Sequence, residues 1–385
     1  MKHIVIDVRM IRHSGIGTYI RNVVPRLLPL FPKDRFSFVG THESVQELVP
    51  ANERVRVRTI ESQANIYSIR EQLELWRKVP EFDVFWSPHY NFPVLMRGKK
   101  LATVHDVFHL AMPEYVGGYL KKQYANVMFR QLVKRADRLI TVSDFTKQEL
   151  LRYTNGGQAK TTAIHNGVDR SWFIPTDMPS PHSKDYLLYV GNVKPHKNLQ
   201  RLLIAFETLS KNRDLDLIIV GKKDGFITGD EFVAKKAEEM GDRVVFTGYV
   251  TDESLKQYYS HARMLAFPSL YEGFCLPPLE AMACGCPVVV SNAASLPEVC
   301  GDAALYCDPL RPESISAEIE RLLNDDVLRA SKIERGFELA KSYTWERCAA
   351  STAHARRARC TITSARRWPR CASRRMCRQV TSVGP

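Results

Sequence analysis

No stretch of this 385-residue chain approaches the ~18–20 consecutive apolar residues that a membrane-spanning helix needs. The N-terminus, MKHIVIDVRM, lacks the charged-then-apolar-then-small layout of an export signal and enters a strand pattern at once. No Cys-x-x-Cys pair occurs among the nine cysteines, and Cys284-Gly285-Cys286 has the wrong spacing for a redox or zinc motif. From residue 347 to the end there is no Lys, Asp or Glu and no hydrophobic periodicity. These absences argue against a spanning protein, a disulfide-stapled secreted domain and a cysteine metal site. What remains, 44% hydrophobic and 25% charged residues, is ordinary globular composition. The length suggests two domains or three. The expected location is the cytosol or a membrane surface, with buried free thiols.

The formal charge of +13 is unevenly spread. Residues 1–170 carry 26 basic and 16 acidic groups, residues 171–346 carry 19 and 26, and residues 347–385 carry ten Arg with no acid. The chain is therefore a basic half, a mildly acidic half and an Arg-only tail. The tail, AHARRARCTITSARRWPRCASRRMCRQVTSVGP, suits a basic arm for nucleic acid or anionic lipid. It is read instead as an out-of-frame translation of GC-rich coding sequence, and no function is drawn from it. It is expected to be disordered.

Strand and helix patterns alternate. His3–Val8 reads as a strand, followed by a glycine turn at Ser14-Gly15-Ile16-Gly17 and an amphipathic run from Thr18 to Leu30. Phe36–Val39, Val55–Ile60, Val84–Ser87, Leu101–Val104 and Arg138–Val142 read as further strands. Tyr119–Ala136 reads as a helix with Leu120, Tyr124, Val127, Met128 and Val133 on one face. A second series begins at Tyr186–Val190 and ends in helices at Pro312–Asn324 and Val327–Ser342. Such alternation implies parallel sheets covered on both faces. The expected class is α/β, with two doubly wound Rossmann-like domains facing across a cleft. The boundaries are 1–170, 171–350 and a tail at 351–385, with a Pro/Ser/Asp-rich linker at 166–184. Open α/β sheets bind ligands at the carboxyl ends of their strands, and helix N-termini there favour phosphates.

The most informative segment is FPSLYEGFCLPPLEAMACGCPVVVS, residues 267–291. A strand ends, a glycine-containing loop follows, and Pro277-Pro278 opens a helix. Glu272 sits in the loop and Glu280 in the expected first helical turn, where a carboxylate is also favoured by the helix dipole alone. A ligand-binding reading has Glu280 accepting hydrogen bonds from a ribose diol and Glu272 from the hydroxyls of a sugar. The backbone N–H groups of Phe274, Cys275 and Leu276 would face a diphosphate.

Residues 272–285 resemble the EGFGLPPLEAMACG pattern of glycosyltransferase family 4, with Cys275 where glycine is usual. The resemblance covers residues 1 to about 350. It implies the two-domain GT-B fold and a nucleotide-sugar donor. GNVKPHKN, residues 191–198, is similar to the family's phosphate loop, with Lys197 in the place of the diphosphate-contacting lysine and Asn192 where many relatives carry arginine. Ser14–Tyr19 fits the family's first-domain glycine loop, which assigns Gly15 and Gly17 to the donor side; as a dinucleotide fingerprint it is incomplete. His105, in Thr103-Val104-His105-Asp106, fits the histidine that meets the transferred sugar, where imidazole can donate to a hydroxyl. His89 and His109 are read as bystanders.

The resemblance therefore implies a retaining glycosyltransferase with catalytic His105, Glu272 and Lys197, and donor-binding Gly15, Gly17, Asn192, Phe274, Cys275, Leu276 and Glu280. No metal or cofactor is expected, because Asp214-Leu215-Asp216 falls where a strand begins, away from the cleft. The flavour is that of bacterial polysaccharide mannosyltransferases. The expected donor is GDP-mannose, and the expected acceptor is a polyprenyl-diphosphate-linked saccharide in exopolysaccharide or O-antigen synthesis. The basic half suits an anionic membrane surface on the inner face of the cytoplasmic membrane. A UDP-sugar-dependent glucosyl- or galactosyltransferase is the same-fold alternative. A non-catalytic nucleotide- or nucleic-acid-binding protein using the tail is the other, although no nucleic-acid partner is expected.

Overall fold

The computed structural model describes residues 1–221 and 231–357. It contains two all-parallel sheets. The first has β1 (His3–Asp7), β2 (Arg35–Gly40), β3 (Val57–Glu61), β4 (Val84–Ser87), β5 (Lys99–Val104), β6 (Arg138–Thr141) and β7 (Thr161–Ala163), ordered β3-β2-β1-β4-β5-β6-β7. The second has β8 (Tyr186–Val190), β9 (Asp216–Val220), β10 (Val244–Gly248), β11 (Met264–Phe267), β12 (Val288–Ser291) and β13 (Leu305–Cys307), ordered β10-β9-β8-β11-β12-β13. Helices cover both faces, so strands such as Tyr186-Leu-Leu-Tyr-Val190 are apolar and buried at every position. The order reverses beside β1 and β8, which opens a crevice at the carboxyl end of each sheet.

Several expectations change. Ser14–Gly17 is not a loop: it forms the first turn of the helix Ser14–Leu27, and the turn lies one step earlier, where His13 N–H donates to the Met10 carbonyl. The short strands β7 and β13, at sheet edges, had no pattern long enough to register. The helix Tyr119–Arg135 buries Met128 and Val133 as expected, together with Ala125, Phe129 and Leu132, but leaves Leu120 and Val127 exposed.

The chain also crosses back. After the helix Asp326–Ser342, Val168 and Thr344 form a parallel bridge, and Val168 N–H donates to the Tyr343 carbonyl. The two crossings touch at Gly167, where a Cβ would lie 2.1 Å from the Trp345 nitrogen. The helix Trp345–Arg357 then packs on the first sheet, burying Trp345, Cys348, Ala349 and Ala353 beside Tyr19 and Val23. Residues 345–350, given to the second domain by chain order, thus belong to the first core, and residues 351–357 are helix rather than tail. Truncating a ring buried like Trp345 costs roughly 3–5 kcal/mol. The rest of the tail lies outside the described residues. The six described cysteines are free thiols, five of them buried.

Candidate active site

Two loops of the second domain are sewn together at the crevice. The first leaves β8 at Gly191, where a close approach is required: a Cβ on Gly221 would lie 2.2 Å from the Gly191 oxygen. It ends at Asn198, in the left-handed region, whose side-chain amide donates to the carbonyls of Pro268 (2.8 Å) and Pro309 (2.7 Å). The second loop follows β11. Leu270 N–H and the Ser269 hydroxyl donate to the His196 carbonyl. These bonds bring Lys197 Nζ to 2.5 Å from Glu272 Oε1, which also accepts from Ser269 Oγ at 2.7 Å. Lys197 lies 5.5 Å above the Phe267 ring as well. Burial lowers the Lys197 pKa, but the Glu272 carboxylate outweighs it, so the net shift is upward and the cation persists. Asn192 occupies the same loop, half-buried, just after Gly191.

The helix Leu276–Ala283 follows, capped at Cys275. Its true start places Glu280 beyond the first turn, so the dipole argument weakens. Glu280 instead accepts a 3.3 Å hydrogen bond from the Tyr259 hydroxyl, and burial, reinforced by Asp252, raises its pKa to about 7. The N–H groups of Phe274 and Cys275 carry no hydrogen bond among the described residues. The Cys275 thiol is buried at this cap, and burial raises its pKa well above the ordinary value.

The first domain supplies the facing wall. Gly273 presses against it: a Cβ there would lie 1.8 Å from the His105 carbonyl oxygen. The Gly273 carbonyl accepts from Ser143 Oγ (2.6 Å) and Thr146 Oγ1 (3.1 Å) at the start of the helix Asp144–Thr154. Glu298, from the second domain, accepts from the N–H groups of Asp144 and Phe145 and pairs with His165 Nε2 at 2.6 Å. Gly273 lies within the 272–285 motif but has no role of its own in the sequence reading, and Glu298 does not stand out there. Their role is contact between distant segments, and the Pro297-Glu298 helix start was the available hint. Leu276, the first residue of the helix Leu276–Ala283, packs against the first-domain core.

His105 sits beneath this contact. Its Nε2 lies 2.9 Å from the Pro88 carbonyl, so that nitrogen carries the proton, and burial lowers the pKa to about 4. The ring is therefore neutral, and its Nδ1 accepts. The expectation that imidazole donates to a sugar hydroxyl is corrected: His105 can accept from one. Gly17 is explained by packing, since a Cβ would meet the Ile11 oxygen at 2.2 Å, whereas Gly15 is exposed in open space at the helix start.

A cavity of about 450 Å³ lies between the domains, lined by Glu272, Gly273, Lys194, His196, Asp106 and His109 among others. His109 is thus no bystander in position. A larger cavity, about 540 Å³, lies behind the site near Tyr343 and Arg347 and contains none of the donor-loop residues. Asp214 and Asp216 lie at the opposite end of the second sheet, paired with Lys184, His182 and Arg243.

Residues 14–172 match the family model described as Glycosyltransferase Family 4, and residues 171–339 match that of Glycosyl transferases group 1. The chain is 34% identical over 283 residues to O-antigen chain mannosyltransferase B of Escherichia coli, covering 71% of this chain and 73% of that one. The chain is a family 4 glycosyltransferase. It is also 30% identical to O-antigen chain mannosyltransferase RfbU of Salmonella typhimurium, over 67% of this chain and 69% of that one. Among solved structures, Anabaena HepE in complex with UDP and glucose superposes with TM-score 0.72 at 16% identity, covering 92% of this glycosyltransferase and 99% of HepE. WaaG, a glycosyltransferase involved in lipopolysaccharide biosynthesis, does so with TM-score 0.65 at 15% identity, over 91% and 98%. At those identities the likeness establishes the GT-B fold. Among the described residues no helix is long and apolar enough to cross a membrane.

Proposed function

We propose that this enzyme transfers mannose from GDP-mannose, with retention of configuration, to a polyprenyl-diphosphate-linked saccharide in bacterial exopolysaccharide or O-antigen assembly. The observation that carries the reading is the 34% identity to an O-antigen chain mannosyltransferase across most of both chains. In this reading Lys197 and the N-terminus of the helix Leu276–Ala283 stabilise the charge developing on the departing nucleoside diphosphate. Glu280 takes the ribose diol, Glu272 the hydroxyls of the transferred sugar, and His105 Nδ1 accepts from one of them. The acceptor hydroxyl enters from the face the leaving group vacates. The reading calls on no metal or cofactor. A calorimetric comparison of GDP-mannose with UDP-glucose and UDP-galactose tests it: GDP-mannose should bind most tightly, and preference for a UDP-sugar would move the enzyme to the alternative donor class.

Glu280 gives this reading a pH signature. Its carboxyl titrates near pH 7 before donor binds, and a ribose diol is best held by the ionised form. Donor affinity should fall as pH drops through about 7, and Glu280→Gln should flatten the profile. A wild-type profile without an inflection near neutrality would remove the ribose role.

The first domain also offers a surface for the membrane that carries such an acceptor. Leu120 is 81% and Val127 55% exposed on the helix Tyr119–Arg135, among Lys121, Lys122, Arg130 and Lys134. Ile69, Leu73 and Trp76 form a second exposed stripe, at i, i+4 and i+7, on the helix Ile69–Lys78, beside Arg70 and Arg77. A chain ended after residue 357 should co-sediment with anionic vesicles and release as salt rises. Equal binding to neutral vesicles would contradict the electrostatic part of this reading.

A further inference from the structure

Tyr67 holds a backbone conformation that non-glycine residues rarely adopt, with φ +71°. Such a conformation is strained and persists only where its surroundings impose it. Here the imposing group is Glu71. Its backbone N–H is taken by the cap residue Ser68, and its carboxylate reaches back to the Tyr67 N–H at 2.9 Å. Glu71 is itself fixed, because Arg9 Nη2 donates to Oε1 at 2.6 Å and Asn91 Nδ2 to Oε2 at 2.6 Å. Asn91 in turn accepts from the Tyr124 hydroxyl at 2.7 Å. A buried polar network therefore holds two tyrosines in place.

The rings complete the arrangement. Phe129, fully buried, stacks on Tyr90 at 4.4 Å and 17°. Tyr90 stacks on Tyr67 at 5.4 Å and 29°, and the Tyr124 ring meets Tyr67 edge-on at 6.4 Å. The stack thus runs from the core outward and ends on Tyr67, which is 39% exposed. It belongs to the cleft wall: Tyr90 lies 5.8 Å from the His109 ring, and His109 and Lys121, one turn before Tyr124, line the interdomain cavity.

We infer that Tyr67 is a stacking platform for an uncharged pyranose ring of the acceptor glycan. The inference rests on the glycosyl-transfer reading and names the acceptor side of that site. A pyranose offers a face of C–H bonds to an aromatic ring and a rim of hydroxyls to polar groups around it. The Tyr67 and Tyr90 phenols form a stacked pair within the field of the Asp106 carboxylate, which lines the cavity. Burial, with Asp106 adding to it, pushes the Tyr67 phenol up to about 12, so both partners remain neutral hydroxyls at physiological pH. Arg9, the cation of the network, is engaged by Asp7 and Glu71, which favours a neutral sugar over a phosphate.

The test uses the alkyl pyranosides octyl α-mannoside, α-glucoside, α-galactoside and N-acetylglucosaminide, with saturation-transfer NMR on wild type, Tyr67→Ala and Tyr67→Gly. At least one pyranoside should receive saturation from wild type, and its Kd should rise roughly tenfold or more in both variants. Binding of GDP and GDP-mannose, followed in the same samples, should not change. Glycine accepts φ +71° without strain, so Tyr67→Gly should melt no lower than Tyr67→Ala while losing the sugar. The inference is overturned if no pyranoside binds wild type, if binding survives in both variants, or if nucleotide affinity falls in step. An incorrect donor assignment would show instead as wild type failing to bind GDP-mannose, with the pyranoside comparison still readable.

Discussion

Replacing Lys197 with alanine should lower kcat by roughly 100- to 1000-fold, the usual effect of removing one preorganised charge from a group that gains charge in the transition state. Lys197 is set for this. Glu272 holds it at 2.5 Å, the Phe267 ring lies beneath it, and the carboxylate raises its pKa against the pull of burial. It is therefore a fixed cation, and no reorganisation is needed when the diphosphate leaves. The fold should survive, because Glu272 retains its bond from Ser269 and the loop retains the Asn198 bonds to Pro268 and Pro309. Lys197→Arg should recover part of the loss. Steady-state rates beside thermal melts check this. Wild-type kcat in the alanine variant would reduce Lys197 to a surface partner of Glu272.

Gly273→Ala should be comparably damaging for a different reason. The added Cβ would lie 1.8 Å from the His105 oxygen and 2.9 Å from Asp106 Cβ, and the first of these is backbone that cannot swing aside. The domains must separate locally, or the loop carrying Glu272 must shift. Displacements of about 1 Å between reacting groups cost on the order of 100-fold in rate. The Ser143 and Thr146 bonds to the Gly273 carbonyl would strain or break too. Nucleotide affinity should change much less, because Glu280 and Lys197 both belong to the second domain. Measuring kcat together with GDP affinity separates the two effects. Full turnover in this variant would mean that chemistry does not require the Gly273–His105 contact.

Much of the architecture was legible because parallel strands covered on both faces are apolar runs, and helices with one wet face are periodic. β8, buried at all five positions, and the helix Pro312–Asn324 are examples. The two crevice loops were found through the family resemblance, since GNVKPHKN by itself reads as a polar surface loop. Periodicity says that a helix has an apolar face but not which neighbours cover it, so Leu120 and Val127 read as core and are exposed. Chain order placed residues 345–350 in the second domain; the family resemblance instead implies a helix past Glu346 that returns to the first domain, with a helical pattern reaching about Ala353, and Trp345 does fill the first core. His105 was found by motif, but its proton is assigned by Pro88, seventeen residues away, which reverses its hydrogen-bonding role. Gly273 lies within the 272–285 motif, but its contact with the first domain and that of Glu298 are long-range and no local pattern announces them. Tyr67 reads as an ordinary aromatic near a helix start until its backbone angle and its place in the ring stack are known.

The most direct test of the central claim is a single turnover assay read by product. Purified enzyme is incubated with GDP-mannose, UDP-glucose and UDP-galactose in separate reactions with a polyprenyl-diphosphate-linked saccharide. The nucleotide released is identified, and the new linkage is assigned by NMR. The account predicts GDP release, stoichiometric with mannose transfer, and an α-linked product that keeps the donor's configuration. Release of UDP with glucose or galactose transfer, or an inverted linkage from GDP-mannose, would contradict it.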